Sequence, residues 1–412
     1  MDSVSDGQFP SVEESLQNRV PFQTWKCHTP ENYEKILQVG EGTFGKVYKA
    51  KYKNSNGEEK IVALKQIITF EDQGFPITAL REILIMKRLN HKNILKLEEV
   101  LTSPPNEKNK KRGTVYLVFQ YMDNDFSGIR MSNINYNLSQ IKCIFYQILC
   151  GMQYLHKCKI IHRDIKSSNI LMNNKGEIKI GDYGLARRDS KENNKRYTCK
   201  VVTICYRAPE LLLGCQEYGT EVDMWSIGCV FCELLSGVII FKESQNEKAQ
   251  LNKIFSICGT PDEKEWPGVT KMPKWMELAP KTNYSNSLRE FFKNNNKVDD
   301  VTFDLVNKLL QLNPKNRITA DEALKHPFFS NEPLMAKPEE LVMSIPDELH
   351  EYQTEKDRKE KRNKLGDLKD KNNMNIGSKD YIGKKRNDNT KSQDITPASS
   401  YKKSKQNTND KV

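Results

Sequence analysis

The chain has 412 residues, of which 37% are hydrophobic and 29% charged, enough for one large domain or two to three smaller ones. No stretch approaches the ~18 consecutive apolar residues that a membrane span requires, and the polar N-terminal segment predicts no secretory signal. The net charge of +11 is typical of a lysine-rich solvated surface, so we expect no direct binding to nucleic acid or membranes.

Ten cysteines are scattered singly along the chain. Cys229 and Cys232 form a CxxC, but they lie within the apolar run DMWSIGCVFCELL, which is typical of a buried helix. We therefore expect buried thiols rather than a zinc or disulfide framework. This cysteine usage predicts a reducing compartment, either the cytosol or the nucleus.

Four regions differ in composition along the chain. Residues 1–32 form a polar leader, and residues 33–121 alternate apolar and polar in short strand-like runs, with one helical pattern, ITALREILIMKRLN. Residues 122–329 carry long helical patterns, and residues 330–412 are rich in lysine and asparagine, which predicts a disordered tail. Glu–Lys pairs in DELHEYQTEKDRKEKRNKL favour a transient helix near the start of that tail. The pattern predicts an α+β fold with a small β-rich lobe followed by a larger α-helical lobe.

The first candidate site is the glycine-rich segment GEGTFGKV at 40–47. A dinucleotide site requires a helix after the glycines, whereas here another strand-like run, KVYKAKY, follows. A glycine hairpin lets backbone amides approach phosphate oxygens, which suits a loop covering ATP. Taken alone, the motif is equally compatible with a plain hairpin turn.

The next strand-like run contains Val62-Ala63-Leu64-Lys65, from which Lys65 can reach nucleotide phosphates. A single lysine on a strand is usually a surface residue, so the hypothesis needs a partner carboxylate. Glu82, on the predicted helix, is the candidate partner, and it would hold Lys65 in place only when the helix is docked.

The most specific motif is HRDIKSSN at 162–169. In it, Asp164 can accept or orient a substrate hydroxyl, Lys166 can neutralise the transferred phosphoryl group, and Asn169 can hold Mg²⁺. Asp182, in the DYG that follows, can chelate Mg²⁺ that bridges the nucleotide phosphates.

Together with APE at 208–210, for whose Glu210 Arg317 is the candidate ion-pair partner, these motifs resemble those of the eukaryotic protein kinase family over residues 33–329. The resemblance implies a bilobal fold with ATP and Mg²⁺ between an N-lobe (33–121) and a C-lobe (122–329). It also implies that FQYMDND is the hinge, with a gatekeeper side chain at Phe119 and a backbone donor to adenine at Met122. The implied ATP-binding residues are Gly40, Glu41, Gly42, Gly45, Val47, Ala63, Lys65, Phe119, Met122, Asp125, Asn169, Leu171 and Asp182.

The segment FPITALREI at 75–83 resembles the signature helix of the cyclin-dependent kinases, which implies that a cyclin docks there and swings Glu82 onto Lys65. We expect Phe75, Ile77 and Leu80 to be exposed and to need a partner that covers them; the alternative is that they pack on their own lobe.

The activation segment YTCKVVTICYR is similar to that of the same family. The resemblance implies activating phosphorylation of Thr198 by another kinase and a pocket that selects proline after the target serine or threonine. The residues implied for these roles are Arg81, Arg163 and Arg187 around the phosphate, and Val201, Val202 and Arg207 in the pocket. The chain departs from the family at Ile204 and Cys205, where leucine and tryptophan are usual, which affects the expected packing beside the substrate.

Phe44 stands where cell-cycle members commonly have a tyrosine. Through this residue and segments such as MDNDFSGI, the chain resembles the kinase of positive transcription elongation factor b and the Bur kinase. This resemblance implies phosphorylation of the RNA polymerase II C-terminal repeat and of elongation factors. It also implies a location in the nucleus, with the cytoplasm as an alternative; the basic run at 384–386 could support nuclear import.

Two other enzyme readings and one non-enzyme reading stay open. A cell-cycle cyclin-dependent kinase is the first, while a mitogen-activated relative is disfavoured because Thr198 is not part of a TxY pair. A kinase-fold scaffold without activity is disfavoured because the lysine, glutamate, aspartate and asparagine of the motifs are all present.

Overall fold

The structure is a computed structural model that describes residues 30–42, 45–53, 56–67, 77–106, 112–189, 196–242, 246–343, 345 and 348–376. Phe44, Phe75, the leader up to residue 29 and the basic run at 384–386 lie outside these ranges. Among the described residues, no helix combines the length and the apolar character needed to cross a bilayer.

The N-lobe is a five-stranded antiparallel sheet with the order β1-β2-β3-β5-β4. Its strands are β1 (Tyr33–Gly42), β2 (Gly45–Lys53), β3 (Glu59–Ile67), β4 (Leu97–Asn106) and β5 (Arg112–Gln120). Val62 and Leu64 alternate with Ala63 and Lys65 along β3 and are buried in a small core on one face of the sheet. Because successive side chains point to opposite faces, Lys65 is directed to the other face, toward the C-lobe. The predicted glycine hairpin is thus the turn between β1 and β2.

Gly45 begins β2 at a position that only glycine can occupy. Its φ is +154°, and a Cβ there would lie 2.0 Å from the carbonyl oxygen of Gln66. The third glycine of the predicted loop is therefore required by the close approach of β2 to β3.

The helix α1 (Ile77–Met86) packs against this sheet through Ala79, Glu82, Ile83 and Met86, which share one helical face. Its other face carries Ile77 and Leu80, 61% and 46% exposed, as the sequence predicts, and Leu84, which is 49% exposed. The described part of α1 therefore presents an apolar face to solvent.

The C-lobe is helical. Its helices are α2 (Phe126–Met131), α3 (Leu138–Lys157), α4 (Pro209–Leu212), α5 (Glu221–Ser236), α6 (Glu247–Cys258), α7 (Trp275–Leu278), α8 (Leu288–Phe291), α9 (Asp300–Leu309) and α10 (Ala320–Ala323). Short strands β6 (Asn124–Asp125), β7 (Ile160–Ile161), β8 (Ile170–Met172), β9 (Ile178–Ile180) and β10 (Arg187–Arg188) carry the loops of the cleft. Helix α5 is buried along nearly its whole length, and both of its cysteines are buried and free, as predicted. The α+β, bilobal prediction is confirmed.

The chain divides into two compact units, Met1–Arg358 and Lys359–Val412. The first contains both lobes and the beginning of α11 (Glu351–Ile376), and the second contains the rest of that helix. The sequence predicts disorder from residue 330, whereas the structure buries Leu341 and His350 within the first unit. The average composition of the tail concealed these residues, which precede its lysine-rich part. The domain boundary at residue 329 stays a prediction.

Candidate active site

A cavity of about 750 Å³ lies between the lobes. Its walls come from the β1–β2 hairpin, β3, the hinge, the loop after β7 and the segment after β9. Every residue predicted to bind ATP lines it: Gly40, Glu41, Gly42, Gly45, Val47, Ala63, Lys65, Phe119, Met122, Asp125, Asn169, Leu171 and Asp182. The structure therefore brings the predicted site residues together, while their role in binding ATP stays a prediction.

Lys65 lies between two carboxylates. Its Nζ is 2.7 Å from Glu82 Oε1 and 3.1 Å from Asp182 Oδ1. Burial lowers the pKa of Lys65, but the two carboxylates outweigh burial and raise that pKa above its ordinary value. For Asp182 the effects have the opposite sign: burial raises its pKa, but Lys65 outweighs burial and holds that pKa at about 2. Lys65 and Asp182 are therefore both charged at neutral pH. Together with Glu82, they connect β3, α1 and the floor of the cleft.

Burial raises the pKa of Glu82, despite the opposing charge of Lys65. Its side chain is only 2% exposed, so displacement of α1 would carry a buried carboxylate away from its cation. The position of α1 and the position of Lys65 are thus coupled.

Asp164 is held from three sides in the loop that follows β7. Its backbone carbonyl accepts a hydrogen bond from Asn169 Nδ2 at 2.7 Å, and Lys166 Nζ lies 3.1 Å from its Oδ2. The backbone N–H of Thr203 approaches Oδ1 at 3.3 Å. The carboxylate therefore faces the junction between the cavity and the activation segment.

Asp223, on α5, organises this loop and was missed by the sequence analysis. Its carboxylate accepts the backbone N–H groups of His162 at 2.8 Å and Arg163 at 2.9 Å. Burial raises the pKa of Asp223, but His156 and these hydrogen bonds bring the net pKa below its ordinary value. The only signal in the sequence was a carboxylate within an apolar helix, and its partner lies 60 residues earlier in the chain.

Asn169 and Asp182 lie on the floor of the cavity. In the described residues no group of three or more His, Cys, Asp or Glu side chains could hold a metal ion. Mg²⁺ at nucleotide sites takes one or two carboxylates together with phosphate oxygens, so a dedicated protein cage is not needed. One carboxylate and one amide oxygen facing the same cavity fit that donor set.

Three arginines converge below the activation segment. Burial, followed by the positive charges of Arg163 and Arg81, lowers the pKa of Arg187. Arg163 donates to the Tyr218 hydroxyl at 3.0 Å, and that hydroxyl donates to the backbone carbonyl of Thr198 at 2.7 Å. Thr198 itself is exposed. The segment therefore carries an accessible hydroxyl near a cluster of like charges.

The residues predicted to select proline also lie together. Val202 has a φ of 66°, in a region that β-branched residues rarely adopt. Arg207 donates from Nε to the carbonyl of Val201 at 2.7 Å and from an η nitrogen to the carbonyl of Val202 at 3.0 Å. Cys205, within the 3-10 turn Ile204–Tyr206, is half-buried and packs against the main core.

The start of α11 contributes to the cavity, and the sequence analysis missed this contribution. Four of its residues or neighbours line the cavity: His350, Glu351, Tyr352 and Glu355. Glu348 accepts from the Tyr121 hydroxyl at 2.8 Å and pairs with Lys49 on β2, and the backbone N–H of Leu349 donates to Asn124 at 2.9 Å. Gln353 donates to the carbonyl of Gln38 on β1. The segment 348–353 thus contacts both lobes at the mouth of the cleft.

Asp125 also binds this segment. Its carboxylate accepts the backbone N–H groups of Gly128 at 2.8 Å, which caps α2, and of Glu351 at 2.7 Å. A residue predicted only as a nucleotide contact therefore also anchors the start of α11.

Residues 33–329 match the family profile described as "Protein kinase domain". The chain belongs to the protein kinase family. Within the curated proteins, this kinase is 43% identical over 350 residues to "Cyclin-dependent kinase C-1" of Oryza sativa subsp. japonica, covering 82% of this chain and 66% of the relative. It is 43% identical to "CTD kinase subunit alpha" of Saccharomyces cerevisiae, covering 80% of this chain and 60% of the relative.

A third relative, "Serine/threonine-protein kinase bur1" of Neurospora crassa, is 40% identical, with 80% of this chain and 60% of the relative covered. Among solved structures, the kinase is similar to a chain of the yeast RNA Pol II CTD kinase CTDK-1 complex. The TM-score is 0.68 and the identity 41%, covering 79% of this chain and all of that chain. The kinase spans about two thirds or less of the length of the three relatives named. The predicted membership in the cyclin-dependent kinases, on the branch that includes the Bur kinase, is confirmed.

Proposed function

We propose that this kinase transfers the γ-phosphate of ATP to serine or threonine followed by proline, and that it does so in complex with a cyclin. The observation that carries the proposal is the arrangement of Asp164, Lys166 and Asn169 beside the Lys65–Asp182 ion pair in one cavity. Phosphoryl transfer demands little covalent chemistry from a protein, so positioned charges of this kind supply most of the catalysis.

Each polar group has a distinct part in the proposed reaction. Asp164 orients the substrate hydroxyl and accepts its proton, while Lys166, on the same carboxylate, offsets the charge of the transferred phosphoryl group. Lys65 holds the nucleotide phosphates, and Asn169 and Asp182 hold Mg²⁺. When bound, Mg²⁺ neutralises charge on the phosphate oxygens.

The RNA polymerase II C-terminal domain is the proposed substrate. Support comes from the printed names of similar proteins, which describe a CTD kinase subunit and an RNA Pol II CTD kinase complex. The arrangement of Val201, Val202 and Arg207 supports a preference for proline at the +1 position, because proline alone lacks a backbone N–H that needs an acceptor. Such a substrate implies action in the nucleus.

A cyclin is the proposed partner of α1. The helix exposes Ile77, Leu80 and Leu84 on one face while burying Glu82 on the other. An apolar face of this kind marks an interaction surface, and a partner seated on it would hold Glu82 against Lys65. The relative named "Cyclin-dependent kinase C-1" supports this choice of partner.

Thr198 is the proposed site of activating phosphorylation by another kinase. Its exposed hydroxyl lies near Arg81, Arg163 and Arg187, whose mutual repulsion a phosphate dianion would relieve. A phosphate here would order the activation segment through charge-assisted hydrogen bonds.

The test is phosphorylation of a C-terminal-domain peptide by the tagged kinase isolated with its bound cyclin. We expect Asp164→Asn to abolish phosphate transfer while ATP binding, measured by calorimetry, is retained. Activity that survives Asp164→Asn would overturn the mechanism, and full turnover by the kinase monomer would overturn the requirement for a cyclin.

A further inference from the structure

Glu247 is the first residue of α6, on the far side of Arg207 from the proposed proline pocket. Its two carboxylate oxygens contact two different cations: Oε1 lies 3.0 Å from an η nitrogen of Arg207, and Oε2 lies 2.5 Å from Lys274 Nζ. Asn246 caps the helix by accepting the backbone N–H of Ala249 at 2.8 Å. The cap and the positive end of the helix dipole both favour a carboxylate fixed at this place.

Each of the three guanidinium nitrogens of Arg207 donates a hydrogen bond. Its Nε and one η nitrogen donate to the carbonyls of Val201 and Val202, and its other η nitrogen donates to Glu247 at 3.0 Å. Only 13% of the Arg207 side chain is exposed, and burial lowers its pKa against the opposing effect of Glu247. The guanidinium is therefore fixed between the two backbone carbonyls and Glu247.

The backbone at Val202 requires such an anchor. Left-handed φ values strain a β-branched residue, and they persist only where the surroundings hold them. The Arg207 hydrogen bond to the Val202 carbonyl fixes the direction of this carbonyl.

We propose that Glu247, bridged by Arg207 and Lys274, is a positioning residue that keeps the +1 pocket selective for proline. The inference deepens the proposed function and rests on it. A +1 residue other than proline brings a backbone N–H that needs an acceptor, and the Val201 and Val202 carbonyls are already engaged. If Arg207 turns away, these carbonyls become free acceptors, and the penalty against a non-proline residue falls.

Lys274 is the second cation that holds the Glu247 carboxylate in place. It lies beside the start of α7, and its ammonium engages the oxygen of Glu247 that Arg207 does not use. Without it, Glu247 would turn toward the remaining cation and change the angle at which it meets Arg207. We therefore expect Lys274 to affect selectivity through Glu247, and less strongly.

The experiment compares two peptides of identical sequence except for Ser-Pro or Ser-Ala at the target site. The kinase, isolated with its cyclin, is assayed as wild type, Glu247→Gln, Glu247→Asp and Lys274→Met. Glu277→Gln, which removes an exposed carboxylate from the neighbouring α7, is the matched control. The readout is the ratio of kcat/KM for Ser-Pro to kcat/KM for Ser-Ala, together with KM for ATP.

We expect Glu247→Gln to lower the proline-to-alanine ratio about tenfold, the effect of losing one charge-assisted hydrogen bond. Glu247→Asp should restore part of the ratio, Lys274→Met should lower it about threefold by the same physical account, and Glu277→Gln should leave it unchanged. The KM for ATP should stay constant throughout, because Glu247 does not line the nucleotide cavity.

An unchanged ratio in Glu247→Gln, or an equal loss on both peptides, would overturn the inference, since a purely structural role lowers both rates together. Should Glu247→Gln fail to fold, Glu247→Asp and Lys274→Met decide the question, and an unchanged ratio in both counts against it. A wild-type kinase that lacks any preference for proline would instead overturn the proposed function.

Discussion

The ion pair between Arg317 and Glu210 gives a quantitative test of how the C-lobe is stabilised. The side chains are 0% and 1% exposed, and they meet through two hydrogen bonds of 2.7 and 3.1 Å. Arg317 also donates to the carbonyls of Glu221 and Gln311 and lies over the Trp225 ring. Replacing Arg317 by Met removes all of these contacts and leaves a buried carboxylate without a counter-charge.

Removing one partner of a buried ion pair costs about 3–5 kcal/mol, because the remaining charge stays desolvated. For a domain of this size, each kcal/mol lowers the melting temperature by roughly 2 °C. We therefore expect Arg317→Met to lower the melting temperature by about 6–10 °C. The double variant Glu210→Gln with Arg317→Met should recover part of this loss, because it removes the stranded charge.

The assay is thermal unfolding of the kinase, monitored by near-UV circular dichroism. The matched control is Arg289→Met, which breaks an ion pair with Asp300 whose side chains are 50% and 95% exposed. Pairs of that kind contribute about 0–1 kcal/mol, so the control should melt close to wild type. If Arg317→Met melts no lower than Arg289→Met, or the double variant is no more stable than Arg317→Met, the reasoning is refuted.

Three further predictions concern the cleft. Glu348→Ala removes the partner of Lys49 and Tyr121 at the mouth of the cleft. It should raise KM for ATP by about three- to tenfold, with kcat little changed. An unchanged KM in steady-state assays would contradict this prediction. Because the pKa of Lys65 is raised above its ordinary 10.5, its charge persists below that pH and is lost only at a higher one, so KM for ATP should be flat from pH 8 to 9.5. A rise of KM in that interval would show that Lys65 titrates there. Asp223→Asn should lower kcat by at least about tenfold with ATP binding retained, since it loosens the loop that carries Asp164; equal kcat values would refute that role.

The sequence was informative wherever chemistry and local spacing coincide. The HRDIKSSN loop is short, so Asp164, Lys166 and Asn169 are close together in the sequence as well as in the structure. Lys65 and Glu82 are 17 residues apart, and the strand and helix patterns on either side sufficed to predict their ion pair. The buried pair of Glu210 and Arg317, also predicted, spans 107 residues, and only the resemblance to a family made it foreseeable.

The sequence did not predict contacts between residues that are far apart along the chain and belong to no common motif. Asp223 reaches back about 60 residues to the backbone of the HRD loop, and backbone acceptors leave no trace in side-chain patterns. Glu348 meets Lys49 across 299 residues, and the lysine-rich composition that follows it suggested disorder. Glu247 likewise acts on Arg207 from a helix 40 residues later, with no motif around it.

The contacts of segment 348–353 bear on how ADP leaves the cleft. Lys49 and Gln38 tie it to the strands above the cleft, whereas Asn124 and Asp125 tie it to the hinge side below. The segment is therefore a second connection between the two lobes, alongside the hinge. We therefore expect ADP to leave only after this segment has detached from one of the lobes.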